Sequence, residues 1–96
     1  MGNVDALPRV QVGMRVVDPV GEQIGTVSAV QAPGTDVRPD TIAGIAEHLM
    51  ATGYLRIDGT GFLSNDVYAG GNHVGGVTGD TVELRASRAD LYRAAS

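Results

Sequence analysis

Residues Val12 to Val30 read V-G-M-R-V-V-D-P-V-G-E-Q-I-G-T-V-S-A-V, and this stretch decides the fold. Arg15-Val16-Val17 carries β-branched residues, whose crowded Cβ favours an extended chain. Asp18-Pro19-Val20-Gly21 follows. Proline presets φ early in a turn, and glycine accepts the positive φ that many turns need late. Gln23 to Val30 then returns to strand-like sequence, so the stretch reads as a β-hairpin. Ile24 and Val27 fall on opposite faces of a regular strand. Gly25 between them predicts a bulge that turns Val27 inward and bends the strand, as a small barrel requires.

The run G-M-R-V-V-D-P-V-G-E-Q-I-G-T-V resembles the opening of the PRC-barrel family, a G-M-x-V strand, a D-x-x-G turn and an I-G-x-V strand. Downstream, G-Y-L-R-I-D, D-V-Y-A and H-V-G-G-V-T-G-D-T-V-E-L resemble the later family order, which ends in a V-x-x-D-x-V-x-L strand. Gly70-Gly71-Asn72 stands where family members often carry a proline-containing segment, and the Pro33 to Met50 insert lengthens the first connection. The resemblance implies a mainly β domain, a small PRC-type barrel of about five to six short antiparallel strands. Members of that family include the cytoplasmic domain of the photosynthetic reaction-centre H subunit and the C-terminal domain of a ribosome-maturation factor. The resemblance therefore implies a docking role. The family shares no catalytic residues, so none is carried over.

Around the hairpin the chain divides as follows. Residues 1–9 lack periodicity and read as a flexible arm, with Arg9 to Val12 expected to join the first strand. Residues 10–86 form the β domain, with a loop and helix inserted at 33–52. In that insert Ile42, Ile45, Ala46 and Leu49 recur at the spacing of one helical face. Asp40 or Thr41 is placed to cap the helix and Gly53 to end it. Such a face usually packs on a core, so the helix is expected to plug one end of the barrel. Tyr54 to Asp58 alternates, with Leu55 and Ile57 on one side. Phe62-Leu63 and Asp66 to Ala69 suggest a further strand in two pieces. His73 to Val77 and Thr81 to Arg85 complete the set, with Val82 and Leu84 inward. Ser87 and Asp90 resemble a capping box, predicting a short C-terminal helix within 87–96 docked by Leu91. Gly21 to Val27 and Gly71 to Val77 share the pattern G-x-x-[IV]-G-x-V, which the need to kink a strand explains as well as duplication does.

Composition bounds the chemistry. The chain has 96 residues, a net charge of −4, no Cys, and seven basic residues that are all Arg. One domain suits this length, and without Cys there is no disulfide framework and no thiolate ligand or nucleophile. An acidic chain without Lys is poorly built to neutralise phosphates, so direct nucleic-acid contact is not expected. No apolar run reaches the roughly 20 residues of a membrane span. The N-terminus lacks a signal-peptide pattern, and Ala6 breaks the myristoylation motif after Met1-Gly2. A cytoplasmic location is the resulting expectation.

Candidate sites were weighed against plainer readings. His48 and His73 are too isolated for H-x-x-x-H zinc spacing. Asp58 to Asp66 lacks the spacing and terminal Glu of a calcium loop, and its Asp, Gly and Asn are ordinary turn formers. The glycines of 70–76 are followed by no G-K-[ST], and Ser28, Ser64 and Ser87 have no G-x-S-x-G context. No catalytic, cofactor-binding or metal residue is therefore assigned, and no cofactor is expected. The expected function is a non-catalytic binding or assembly module that self-associates, most simply as a homodimer. The helix face, or Val10 and Val12 on an edge strand, would supply the contact. Two other classes remain open: a factor associated with the ribosome or RNA metabolism, and a small-ligand-binding barrel. A barrel this small is filled by its own side chains, which weighs against the last.

Overall fold

A computed structural model describes residues 7–59 and 66–94. The chain is mainly β, with seven strands and one α-helix among the described residues. In chain order they are β1 (Arg15–Val17), β2 (Gln23–Gln31), α1 (Ala43–Thr52), β3 (Tyr54–Gly59), β4 (Val67–Gly70), β5 (Val74–Thr78), β6 (Thr81–Leu84) and β7 (Tyr92–Arg93). They form one sheet in the order β5-β6-β1-β2-β3-β4-β7. All pairings are antiparallel except β1 with β6, which is parallel.

The hairpin forms as its sequence predicts. The Asp18 carboxylate accepts the backbone N–H of Val20 at 3.1 Å and of Glu22 at 2.8 Å. Gly21 closes the turn at φ +88°, donating to the Asp18 carbonyl at 2.9 Å. Irregularities follow on both sides of β2. Val16 pairs with Gly25 and Val17 with Gln23, so the unpaired residue facing β1 is Ile24, one position before the predicted bulge. A second shift leaves Ser28 unpaired against β3. Ile24 and Val27 both end up buried. Gly25 serves a different purpose: it lets β2 and β3 approach. A Cβ there would sit 2.7 Å from Ile57 Cγ2 and collide with the Asp58 carbonyl oxygen.

The sheet is open rather than a closed barrel, and this corrects the expected architecture. Among the described residues β5 and β7 stand at opposite ends and do not pair. The parallel β1–β6 contact also replaces the all-antiparallel arrangement. Curling nevertheless brings six strands onto one aliphatic core. Val16, Ile24, Ile57, Val67, Val74 and Val82, one from each of β1 to β6, belong to a single buried cluster. Both copies of the G-x-x-[IV]-G-x-V pattern flank the parallel pair, as β2 beside β1 and β5 beside β6. Each is bulged, with Gly75 the unpaired residue in β5.

The ends of the chain differ from expectation. Leu7–Arg9 is a 3-10 turn, and Leu7 and Val10 belong to the core, so the arm is anchored from Leu7 onward. Arg9 to Val12 does not join β1, and Val12 is 66% exposed. No C-terminal α-helix forms among the described residues. Arg88–Asp90 makes a single 3-10 turn, and the chain then pairs with β4 as β7. Leu91 docks in the core as predicted. The Ala94 N–H donates to the Asp66 carbonyl at 2.9 Å, extending that pairing and satisfying backbone groups that a frayed one-turn helix would leave open. Phe62, Leu63 and Ser64 lie outside the described residues, as does the arm through residue 6.

Helix α1 packs on the opposite face of the sheet. Ala46 and Leu49 are buried as their spacing predicts, but Ile42 is the N-cap residue and is exposed. Neither Asp40 nor Thr41 caps the helix; the N-cap has no side-chain hydrogen bond. Gly53 ends it at φ +78° in a place with no room for a side chain: a Cβ would lie 2.6 Å from Leu7 Cδ2.

Candidate functional site

Two places gather side chains that could bind or react. The first lies on the helix side of the sheet. Alternation along β3 and β4 brings Tyr54, Arg56 and Tyr68 to one face. The rings of Tyr54 and Tyr68 meet edge to face at 5.5 Å, in a small core with Leu49. Both rings are almost fully buried, so their hydroxyls need partners. The Tyr54 hydroxyl donates to the Val37 carbonyl at 3.0 Å. The Tyr68 hydroxyl accepts from Asp40 N at 2.9 Å and from Arg56 Nη1 at 2.8 Å. Arg56 Nε also donates to Asp66 Oδ2 at 2.8 Å, and its guanidinium carbon lies 5.3 Å from the Tyr68 ring centre.

Electrostatics follow from that geometry. The hydrogen bond to Asp66 holds the Arg56 pKa above its ordinary value despite the cost of burial. Burial pushes the Tyr54 phenol upward, Tyr68 adds to this, and Arg56 opposes it. The Tyr54 phenol is therefore held neutral, and both hydroxyls pin the 37–40 loop to the sheet. This arrangement suits a structural clamp, and it leaves no activated base beside a free nucleophile.

The second place is a half-open cavity of about 310 Å³ at the junction of five segments. Leu7 and Pro8 line it from the N-terminal turn, Pro33 from the loop after β2 and Thr52 from the end of α1. Gly71, Asn72 and Val74 line it from the β4–β5 connection, with Arg85 just past β6. Backbone hydrogen bonds lock these walls together. Gly71 N donates to the Gly53 carbonyl at 2.8 Å, Gly34 N to the Met50 carbonyl at 2.8 Å, and Arg85 N to the His73 carbonyl at 2.7 Å.

The two histidines do not come together as ligands. His48 is exposed on α1. His73 is half-buried; its Nδ1 accepts the Gly70 N–H at 3.1 Å, and its ring lies 5.7 Å from that of Tyr92. Accepting that N–H requires an unprotonated Nδ1. Burial lowers the His73 pKa, with Asp90 opposing and His48 reinforcing the shift. Among the described residues no group of three His, Asp or Glu side chains is placed to hold a metal ion. Of the serines considered as nucleophiles, Ser28 donates to the Arg56 carbonyl and Ser87 to Asp90.

Sequence reading missed both places. The cavity joins residues far apart in the chain, none of which forms a local motif. The clamp had one local signal, the tyrosines beside Leu55 and Val67, whose polar tips demand partners when buried. In class, the described residues form one open, mixed seven-stranded sheet with one helix packed on its back. No family model, curated protein or solved structure matches it. No helix among the described residues is long and apolar enough to cross a membrane.

Proposed function

We propose that this chain is a non-catalytic binding or assembly module of the PRC-barrel type, acting through protein–protein contacts and associating with a second copy of itself. The observation that carries this reading is the open sheet, whose end strands β5 and β7 each have a strand partner on one side only among the described residues. Unpaired strand edges recruit further strands unless something covers them. The resemblance of Gly13 to Val27 to the family's opening hairpin supports the same class. The anticipated contact surface needs revision. Ala46 and Leu49 on the helix face, and Val10, are buried within the chain, whereas Val12, Val20, Val37 and Ile42 remain exposed.

Edge pairing favours β5, the longer of the two. Its hairpin closes on the Thr78–Thr81 pair, so the backbone of Val77 faces away from β6. Arg9 Nη2 donates to the Val77 carbonyl at 3.1 Å, covering part of that edge. The test is molar mass by light scattering at tens of micromolar protein. A mass approaching twice that of the chain is expected at the top of that range, and Arg9→Ala should reach it at lower concentration by uncovering the edge. A monomeric mass for both proteins overturns the self-association reading.

A further inference from the structure

We propose that the cavity bounded by Leu7, Pro8, Pro33, Thr52, Val74 and Arg85 binds a small aliphatic carboxylate, with the tail on the apolar wall and the head on Arg85. Its volume of about 310 Å³ lies at the lower end of ordinary ligand pockets, which run from about 300 to 1,000 Å³. That size suits a short chain rather than a cofactor.

Three observations converge. First, the lining is divided by chemistry. Leu7, Pro8, Pro33 and Val74 give an apolar wall, while Asn72 and Arg85 are exposed at the rim. Second, Arg85 is available. Among the described residues it has no carboxylate within 4.0 Å, whereas Arg15 and Arg56 are each paired. Its stem has a bed: a Cβ on the bulged Gly75 would lie 3.2 Å from Arg85 Cγ, so glycine lets the stem lie a few tenths of an ångström closer to β5 than a side chain there would. Third, the walls are pre-formed. The hydrogen bonds from Gly71 to Gly53 and from Gly34 to Met50 tie the helix end to both neighbouring loops. A site already in place loses little ordering entropy on binding.

Charge and shape then select the occupant. A guanidinium accepts a planar carboxylate in a bidentate fork, and beside apolar surface that contact is less screened than in water. A neutral tail without the head would lack this contact, and an inorganic anion would leave the apolar wall wet. The proposal stands apart from self-association, since none of its lining residues needs a second copy of the chain.

The test is a titration of the ¹⁵N-labelled full chain with sodium hexanoate, with hexanamide and inorganic phosphate as separate arms. Saturable shifts centred on the Gly71, Asn72, Val74 and Arg85 amides are expected with hexanoate. Hexanamide should bind about tenfold more weakly, the loss typical of one charge-assisted hydrogen bond. Arg85→Gln should show the same loss, and Arg85→Lys should recover part of it, with spectra otherwise unchanged. Equal binding of amide and acid removes the role of Arg85. Phosphate binding as tight as hexanoate removes the role of the apolar wall. No saturable shift with hexanoate, or shifts centred elsewhere, overturns the site.

Discussion

The two faces of the sheet are held by different means. On the concave face the side chains of β1 to β6 meet with Leu7, Val10 and Leu91 in a wholly aliphatic cluster. On the convex face a much smaller cluster of Leu49, Tyr54 and Tyr68 lies under α1. There two hydrogen bonds, Tyr54 to the Val37 carbonyl and Asp40 N to Tyr68, attach the covering loop, and Arg56 braces Tyr68 from the neighbouring strand. Aliphatic burial is non-directional and draws on the whole sheet at once. Hydrogen bonds to a loop are local and contribute less net free energy each. The concave face should therefore set global stability, and the convex face should open first.

The largest effect should come from breaking the concave core. Leu55 is fully buried there, and Leu55→Ala should cost about 2–5 kcal/mol, the range for deleting a core leucine. A urea melt should show the midpoint falling for every probe of structure. Gly25→Val should be of similar severity, because its side chain has no space against Ile57 and the Asp58 backbone. A midpoint unchanged by either substitution would mean that the strands are not held by this face.

The convex face should respond locally. Tyr68→Phe keeps the ring against Tyr54 and removes the oxygen that Arg56 Nη1 and Asp40 N both use. The expected cost is about 1–3 kcal/mol, because a charged donor is left short of a partner. Hydrogen exchange should quicken through residues 36–52 while β1, β2 and β6 stay protected. A uniform rise across the sheet would erase the distinction between the faces.

What the sequence disclosed tracks the range of the interactions involved. The Asp18–Gly21 turn, the inward side chains of β3 and β6, and the Gly53 helix end were all readable, since each rests on residues a few positions apart. The parallel pairing of β1 with β6 was not, because no local pattern encodes contact between Arg15 and Thr81. The C-terminus was misread for a related reason. Ser87 Oγ donates to Asp90 Oδ2 at 3.3 Å, a bond between side chains in place of the side-chain-to-backbone pair of a capping box, and the chain pairs with β4 instead of continuing as a helix. Ile42 fits the helical spacing but precedes the first turn and remains in solvent. As for the binding site, only Leu7 and Val74 of its wall are core residues, and position in the chain links neither to Arg85.

A smaller effect should appear on acidification, at the β4–β5 connection. His73 faces Tyr92, with Asp90 and His48 the charged groups near it. Its pKa in the fold lies below the ordinary 6.5, so the unfolded chain binds the proton more readily. Its contribution is therefore fully present above pH 6.5, declines as pH falls through 6.5 towards the lowered value, and is constant below that. Protonation would also turn Nδ1 into a donor opposite the Gly70 N–H. Comparing His73→Gln with the parent between pH 7.5 and 5, a range chosen around an ordinary imidazole pKa of about 6.5, should show the variant losing less stability. Equal pH slopes would mean that the imidazole is solvated alike in both states.

The least effect should come from the exposed ion pair at the start of β1, and the more sheltered pair of Arg56 and Asp66 gives the contrast. Arg15 and Asp80 are 3.7 Å apart with both side chains more than half exposed. The contact they reinforce is already made by the backbone, Arg15 N donating to the Asp80 carbonyl at 3.0 Å. Arg56 and Asp66 are 2.8 Å apart, each about 30% exposed, and Arg56 is also held by Tyr68. Exposed pairs are worth about 0–1 kcal/mol, whereas a pair that is sheltered and geometrically fixed loses less to screening. Double-mutant cycles to alanine at low and high salt should give an Arg15–Asp80 coupling near zero that salt abolishes. The Arg56–Asp66 coupling should be larger and survive. If the two couplings match in size and salt response, Arg56 is as solvated as Arg15, and it cannot be what braces Tyr68 under the loop.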